Sequence, residues 1–241
     1  MKTKPTILSF LACLSISASS LNAQSIPEPV LNIQAGKGMA VDKSEKAREL
    51  NELPAGSNNT CVALNSEKAI EIPYAEGDPL FSTEEFTWVL RVKFTSFGAP
   101  SQSSPVMGRW FPASNDRSVG LLLGADQLMK FGICADGTIK GVRSESLSVP
   151  IPADNWRIFV FRWKAGQLAS LSLFSNEGKR LQTHNMGEKF ILPSIKQVNQ
   201  PFLVGAPADY GMEIKAVKVF DRALTEEELT ADLLTKRFDI P

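Results

Sequence analysis

The sequence predicts an all-β fold: a two-sheet antiparallel sandwich of jelly-roll type, with one short C-terminal helix. Three observations carry that expectation. Strand-length apolar runs recur from about residue 60 to residue 220, separated by Gly, Pro, Asn, Asp and Ser. The run Phe86 to Phe94 alternates between apolar and other residues with Val89 as the single exception. Helical periodicity is nearly absent before residue 224, which sets aside the α/β arrangements.

The N-terminus reads as a separate, removable piece. Lys2 and Lys4 precede the charge-free stretch Ile7 to Leu21, and Leu21-Asn22-Ala23 puts a small residue before a cleavage point. These are the parts of a secretory signal, so residues 1–23 are read as a signal peptide cut after Ala23. A membrane anchor fits less well, because five serines interrupt the stretch and a span needs roughly 20 apolar residues. Lipidation at Cys13 also fits less well, since Phe10 stands where a lipobox prefers Leu. The expected location is secreted, periplasmic or cell-surface.

Residues 24–60 read as an N-terminal strand and loop-rich segment joined to the domain, with an edge strand at Val30 to Ile33 and polar loop over Asp42 to Asn59. Residues 61–241 carry the main body; with no repeat, low-complexity tract or linker, 24–241 is expected to be one domain. Phe86, Trp88, Leu90, Val92 and Phe94 share one strand face, Thr87, Arg91 and Lys93 the other. Val119 to Leu123 and Leu128 to Cys134 form a hairpin around Gly124-Ala125-Asp126, and Asp136-Gly137 marks another turn. Trp156 to Trp163 is apolar on both faces apart from its arginines and reads as a central strand, and Leu168 to Phe174 follows. Phe202 to Gly205 and Met212 to Phe220 are the last strands. A helix is then expected to begin at Leu224, with Thr225 and Glu228 as its capping box and Leu229 and Leu233 docking it.

Losing the signal removes two of the 26 basic residues and none of the 26 acidic ones, so the mature chain carries a net charge near −2. With no basic run, nucleic acid and anionic lipid are disfavoured as partners. No second segment approaches membrane-spanning length. Cys13 leaves with the signal, and Cys61 and Cys134 remain as an even pair in an oxidising compartment. A disulfide between them and two buried free thiols are both open readings.

Four segments in this order resemble the laminin G-like, concanavalin A-type jelly rolls of secreted and cell-surface proteins. Cys61-Val62-Ala63-Leu64 with Ala69-Ile70-Glu71-Ile72-Pro73 looks like the opening strand pair. Phe86-Thr87-Trp88-Val89-Leu90-Arg91-Val92 resembles the family's tryptophan-bearing core strand, with Trp88 placed earlier than usual. Asn155 to Trp163 is similar to its "W-x-H-V-A-V-T-W" strand, with Arg157 and Ile158 near the histidine position. Phe202 to Ala206 followed by Gly211 to Leu229 looks like the closing strand and its capped end, although Lys215 and Ala216 replace a frequent acidic pair. The resemblance implies a fold and not a chemistry, because this scaffold hosts lectins, glycosidases, lyases and adhesive domains alike.

Catalytic sets are hard to find. Retaining glycosidases need two carboxylates about 5 Å apart, and Glu67 with Glu71 has the strand spacing but no third acid. The single histidine, His184, sits in a polar stretch without a motif, and no Gly-x-Ser-x-Gly elbow exists. One histidine and two distant cysteines disfavour zinc. Calcium stays open as a cofactor, with Asp116 and Asp136 as candidate ligands and Asn115, Asp126 and Asp209 in similar turns. Turn chemistry explains the same residues without an ion. Sugar binding needs exposed aromatic rings beside polar groups. Trp110, flanked by Arg109 and by Asn115 and Asp116, is one candidate platform, and Tyr210 is the other. The alternative is that Trp110 continues a strand from Val106 and packs inside. The expected function is a secreted, non-catalytic module that binds glycan. A polysaccharide-active enzyme and an adhesive protein with a protein partner are the rival readings.

Overall fold

A computed structural model of the chain describes residues 28–36, 39–58, 60–65, 68–97, 103–205 and 210–235. The signal peptide read at 1–23 lies outside these residues, as do Glu67 and Asp209. In chain order the strands are β1 (Leu31–Gly36), β2 (Met39–Asp42), β3 (Val62–Leu64), β4 (Ile70–Ile72), β5 (Glu85–Ser96), β6 (Ser104–Phe111) and β7 (Asp116–Leu123). Then come β8 (Met129–Cys134), β9 (Val142–Ser146), β10 (Arg157–Lys164), β11 (Ser170–Ser175), β12 (Arg180–Asn185), β13 (Phe202–Val204) and β14 (Gly211–Phe220). One helix, α1 (Ala231–Leu234), follows. The strands form two antiparallel sheets, ordered β12-β11-β10-β5-β14-β1-β2 (with β3 also on β14) and β4-β13-β6-β7-β8-β9. The all-β sandwich expected from the sequence is what the chain forms. Among the described residues no helix is long and apolar enough to cross a membrane.

The alternation read in Phe86 to Phe94 sets the core. Those five even-numbered side chains are buried between the sheets with Val119, Leu121, Leu123, Phe131 and Ile133. Aromatic edges cross the layer: Trp88 meets Phe202 at 5.3 Å and 87°, and Phe131 meets Phe161 at 4.9 Å. The outward face of β10 is apolar for a second reason. Ile158 and Val160, with Val89 and Phe174, lie under Leu224, Leu229, Leu233 and Leu234 of the C-terminal segment.

In β14 the register on β5 skips Lys215, pairing Ile214 with Val92 and Ala216 with Arg91. The bulge exchanges the strand's two faces. Met212 and Ile214 enter the core before it, Val217 and Val219 after it.

Two local expectations are corrected. Val30 to Ile33 is not at an edge: β1 is bonded on one side to β14 and on the other to β2, which takes the edge. The loop after β2 is organised by Asp42, which accepts from the backbone N–H of Asn32, Ser44 and Arg48 and pairs with the Arg48 guanidinium at 3.1 Å. Burial alone would raise the Asp42 carboxyl, yet these hydrogen bonds hold it below the ordinary carboxylate range. The helix also starts later than Leu224. Glu228 does accept from the Thr225 N–H at 2.8 Å, but Arg222 holds the same carboxylate and the segment closes as a turn. Thr230 caps α1 instead, accepting from the Leu233 N–H at 3.1 Å. Leu229 and Leu233 are buried as expected.

Cys61 and Cys134 are both buried and free, so the disulfide reading is corrected. Cys61 Sγ lies 3.5 Å from Glu213 on the outward side of the larger sheet. Cys134 packs with Trp110 and Leu122 on the outward side of the smaller one. The whole sandwich stands between them.

Candidate functional site

The sequence-derived site residues are scattered by the fold. The ordinary alternation of β6 puts the Arg109 and Trp110 side chains on opposite faces, and the register shift there skips Ser118 of β7. The Trp110 ring lies over Gly120 and Gly132 on the outer face of the smaller sheet, packed by Leu122, Cys134 and Val142, and is only 7% exposed. A Cβ added at Gly132 would stand 2.6 Å from Trp110 Cη2, so the bare backbone there is what admits the indole. Tyr210 is 3% exposed, its ring 6.3 Å from Phe97 in an edge-on arrangement. Neither aromatic stands free as a platform. Trp156, which opens the run read as a central strand, lies just before β10 and is the half-exposed tryptophan, with Lys215 Nζ 4.6 Å and Lys93 Nζ 5.6 Å from its ring centre.

The acidic turns make local bonds. Asn115, at φ 60°, accepts from Arg117 Nη1 at 2.6 Å, and Asp116 accepts from Gln200 Nε2 at 3.0 Å. Asp136 accepts from both the N–H and the hydroxyl of Thr138, which lowers its pKa, and Asp126 accepts from the Leu128 N–H and pairs with Lys130. Among the described residues no three His, Cys, Asp or Glu side chains converge to hold a metal.

Arg109 leads to a better site. It opposes the core residue Val119 and is 1% exposed. Its guanidinium stands 5.7 Å from the Phe81 ring centre, with Nη1 donating to Gln197 Oε1 and Nη2 to the Ser82 carbonyl, both at 3.2 Å. Its buried Nε has no hydrogen-bond partner among the described residues. Burial pushes its pKa down to about 10.

Above it opens a cleft of about 290 Å³ lined by Tyr74, Asp78, Phe81, Ser82, Thr83, Glu84 and Gln197. Asp78 shapes one wall by accepting from the Leu80 N–H at 3.0 Å, starting the single turn Pro79–Phe81. Burial works against the Asp78 charge, but Lys46 and Arg48, each at 2.9 Å, keep its carboxyl below the ordinary range. Phe81 is buried and meets the half-exposed Tyr74 ring edge-on at 5.1 Å and 75°. The arrangement supplies one aromatic face, hydroxyls, an exposed amide and carboxylates, which is the chemistry a pyranose requires. Sequence reasoning reaches Arg109 but misses Tyr74, Phe81 and Gln197. The available signal was an aromatic residue between Pro73 and Gly77 just after a strand.

A larger cleft of about 340 Å³ runs past Arg162, Lys164, Gln167, Asn185 and Thr225. It offers no aromatic face, since the Trp163 ring is turned into the core. Arg162 is committed to Ser170, the Leu224 carbonyl and Glu226.

The carboxyls are tuned in one direction. Wherever a shift is resolved among the described residues, from Asp42 and Asp78 to Glu213, Glu226 and Glu228, the carboxyl is held below its ordinary value. A glycosidic general acid needs the opposite shift.

No family model matches the chain, and no curated protein does. Solved structures with the same fold do exist. The binding domain of Paraclostridial Mosquitocidal Protein 1 superposes with a TM-score of 0.63 at 14% identity, covering 84% of this chain and 51% of that one. The binding domain of botulinum neurotoxin serotype D/C gives 0.64 at 11%, covering 88% and 52%. The botulinum neurotoxin serotype D ligand binding domain, solved in complex with N-acetylneuraminic acid, gives 0.62 at 12%, covering 84% and 49%. The chain spans about half the length of these neighbours, and the likeness is one of fold.

Proposed function

We propose that this chain is an exported, non-catalytic binding module of the laminin G-like kind that recognises carbohydrate through the Tyr74 cleft. The observation that carries the reading is Tyr74 itself, a half-exposed ring at the mouth of a cleft otherwise lined by hydroxyl, amide and carboxylate groups. An aromatic face stacks on the C–H surface of a sugar ring while the polar wall meets its hydroxyls. Support comes from two further sides. Glu213 and Glu228 are both held below the ordinary carboxylate range, the opposite of the shift a glycosidic general acid needs. Binding domains of the same fold include one in complex with N-acetylneuraminic acid. Export rests on Lys2, Lys4 and the charge-free stretch that follows them.

A glycan array probed with residues 24–241, with and without calcium, tests the reading. At least one glycan is expected to bind, and Tyr74→Ala to weaken it about tenfold, equivalent to ~1.4 kcal/mol. Silence in both conditions, or an affinity indifferent to Tyr74, overturns it.

A further inference from the structure

Several arginines of this protein meet carboxylates, while Arg117, at 8% exposure, takes the neutral Asn115 Oδ1 and Pro112 carbonyl near the surface. Arg48 pairs with Asp42 and Asp78, Arg162 with Glu226, and Arg222 with Glu228. Arg109 is more deeply buried than any of these, yet its two recorded acceptors are a neutral amide and a neutral carbonyl, both at 3.2 Å. A buried cation is ordinarily compensated by an opposite charge. Among the described residues no carboxylate forms an ion pair with it, and Asp78, in the adjoining cleft wall, is engaged by Arg48 and Lys46.

We propose that Arg109 makes the Tyr74 cleft selective for sugars carrying a carboxylate, with Gln197 as a displaceable cover over the guanidinium. This rests on the glycan reading and names its ligand class. Gln197 is suited to the part because its side chain is exposed and lines the cleft while its Oε1 occupies Arg109 Nη1. The neighbouring Ile195 and Val198 are buried and anchor the segment, so the amide can swing aside without moving the backbone. A uronic or sialic acid whose ring lies against Tyr74 then places its carboxylate where the Gln197 oxygen stood. A neutral acceptor is exchanged for a charged one, and hydrogen bonds to an ionised acceptor are about twice as strong. Phe81 beneath the guanidinium holds its plane in place for the exchange.

The test is calorimetric titration of residues 24–241 with an oligoglucuronate and with the matching neutral oligoglucose. The wild type is expected to prefer the glucuronate by about tenfold or more, and the preference should fade as salt rises. Gln197→Glu supplies an internal carboxylate to Arg109; it is expected to fold with equal or higher Tm and to lose the preference. Gln197→Ala is expected to keep or strengthen it. Equal binding of the two oligosaccharides overturns the role of Arg109 and leaves the glycan reading standing, as does a preference that survives Gln197→Glu. If neither oligosaccharide binds and the array is silent, both fall together.

Discussion

His184 Nε2, on the edge strand β12 of the larger sheet, lies 2.5 Å from Glu145 Oε2, on the edge strand β9 of the smaller one. A second polar link, Gln182 Nε2 to Ser148 Oγ at 2.7 Å, runs alongside. Together they clasp the flank where the two sheets would otherwise gape, and the side chains put polar groups on both edges. Both partners remain partly open to water. A double-mutant cycle with His184→Ala and Glu145→Ala, read by urea denaturation, should therefore give a coupling of no more than about 1 kcal/mol. A coupling several times larger would mean the clasp is a structural keystone.

Glu228 should make the C-terminal segment acid-sensitive. Arg222 bonds to both of its oxygens and Thr225 donates a backbone N–H, so its pKa falls from 4.5 to about 2. A depressed folded-state value means stability that is fully present above pH 4.5 and disappears as the pH falls through about 2. Melting curves of the wild type and Glu228→Gln should differ most near neutrality, with the wild type higher, and converge as the pH approaches 2.

The two thiols should be silent in the folded protein. Burial raises the pKa of both Cys61 and Cys134, and Glu213 beside Cys61 adds to the effect there. Ellman's reagent is expected to titrate them only after denaturant is added. Electrophoretic mobility should be the same with and without reductant.

Gly132 and Gly120 should rank in a defined order. A methyl group at Gly132 meets Trp110 Cη2 at 2.6 Å, whereas at Gly120 the nearest atom is 3.1 Å away. Gly132→Ala should cost about 1–3 kcal/mol, as overpacking usually does, and Gly120→Ala less. Denaturation midpoints of the two variants check the ranking.

What the sequence made legible was whatever depends on a period of two. The strands around Trp88, Leu121, Phe131 and Phe159 lie where alternation or apolar runs put them. Their order across the sheets depends on pairing between distant segments, which no local pattern encodes. The site was harder for the same reason. Period two puts Arg109 and Trp110 on opposite faces of β6, but which of them faces the core layer is set by the pairing of β6 with distant strands, and it is Arg109 that goes in. Tyr74 and Gln197 are 123 positions apart and meet only because β4, β13 and β6 are adjacent. Half of the expected capping box formed, but Arg222 competed for Glu228, a tertiary pairing that propensity does not contain.

The one residue of β14 that the β5 register skips has a consequence for how this chain can vary. Lys215 lets one strand keep Met212 and Ile214 inside and then, half a step out of phase, Val217 and Val219. Remove it and the pleat reads like a message shifted by one letter: either the first pair or the second turns to solvent, and Ala216, Lys218 and Phe220 trade places with the valines. Swapping Lys215 for another residue changes one side chain. Deleting it changes the meaning of every position beyond. The number of residues in this strand is thus held more tightly than the identity of the one that makes the count come out.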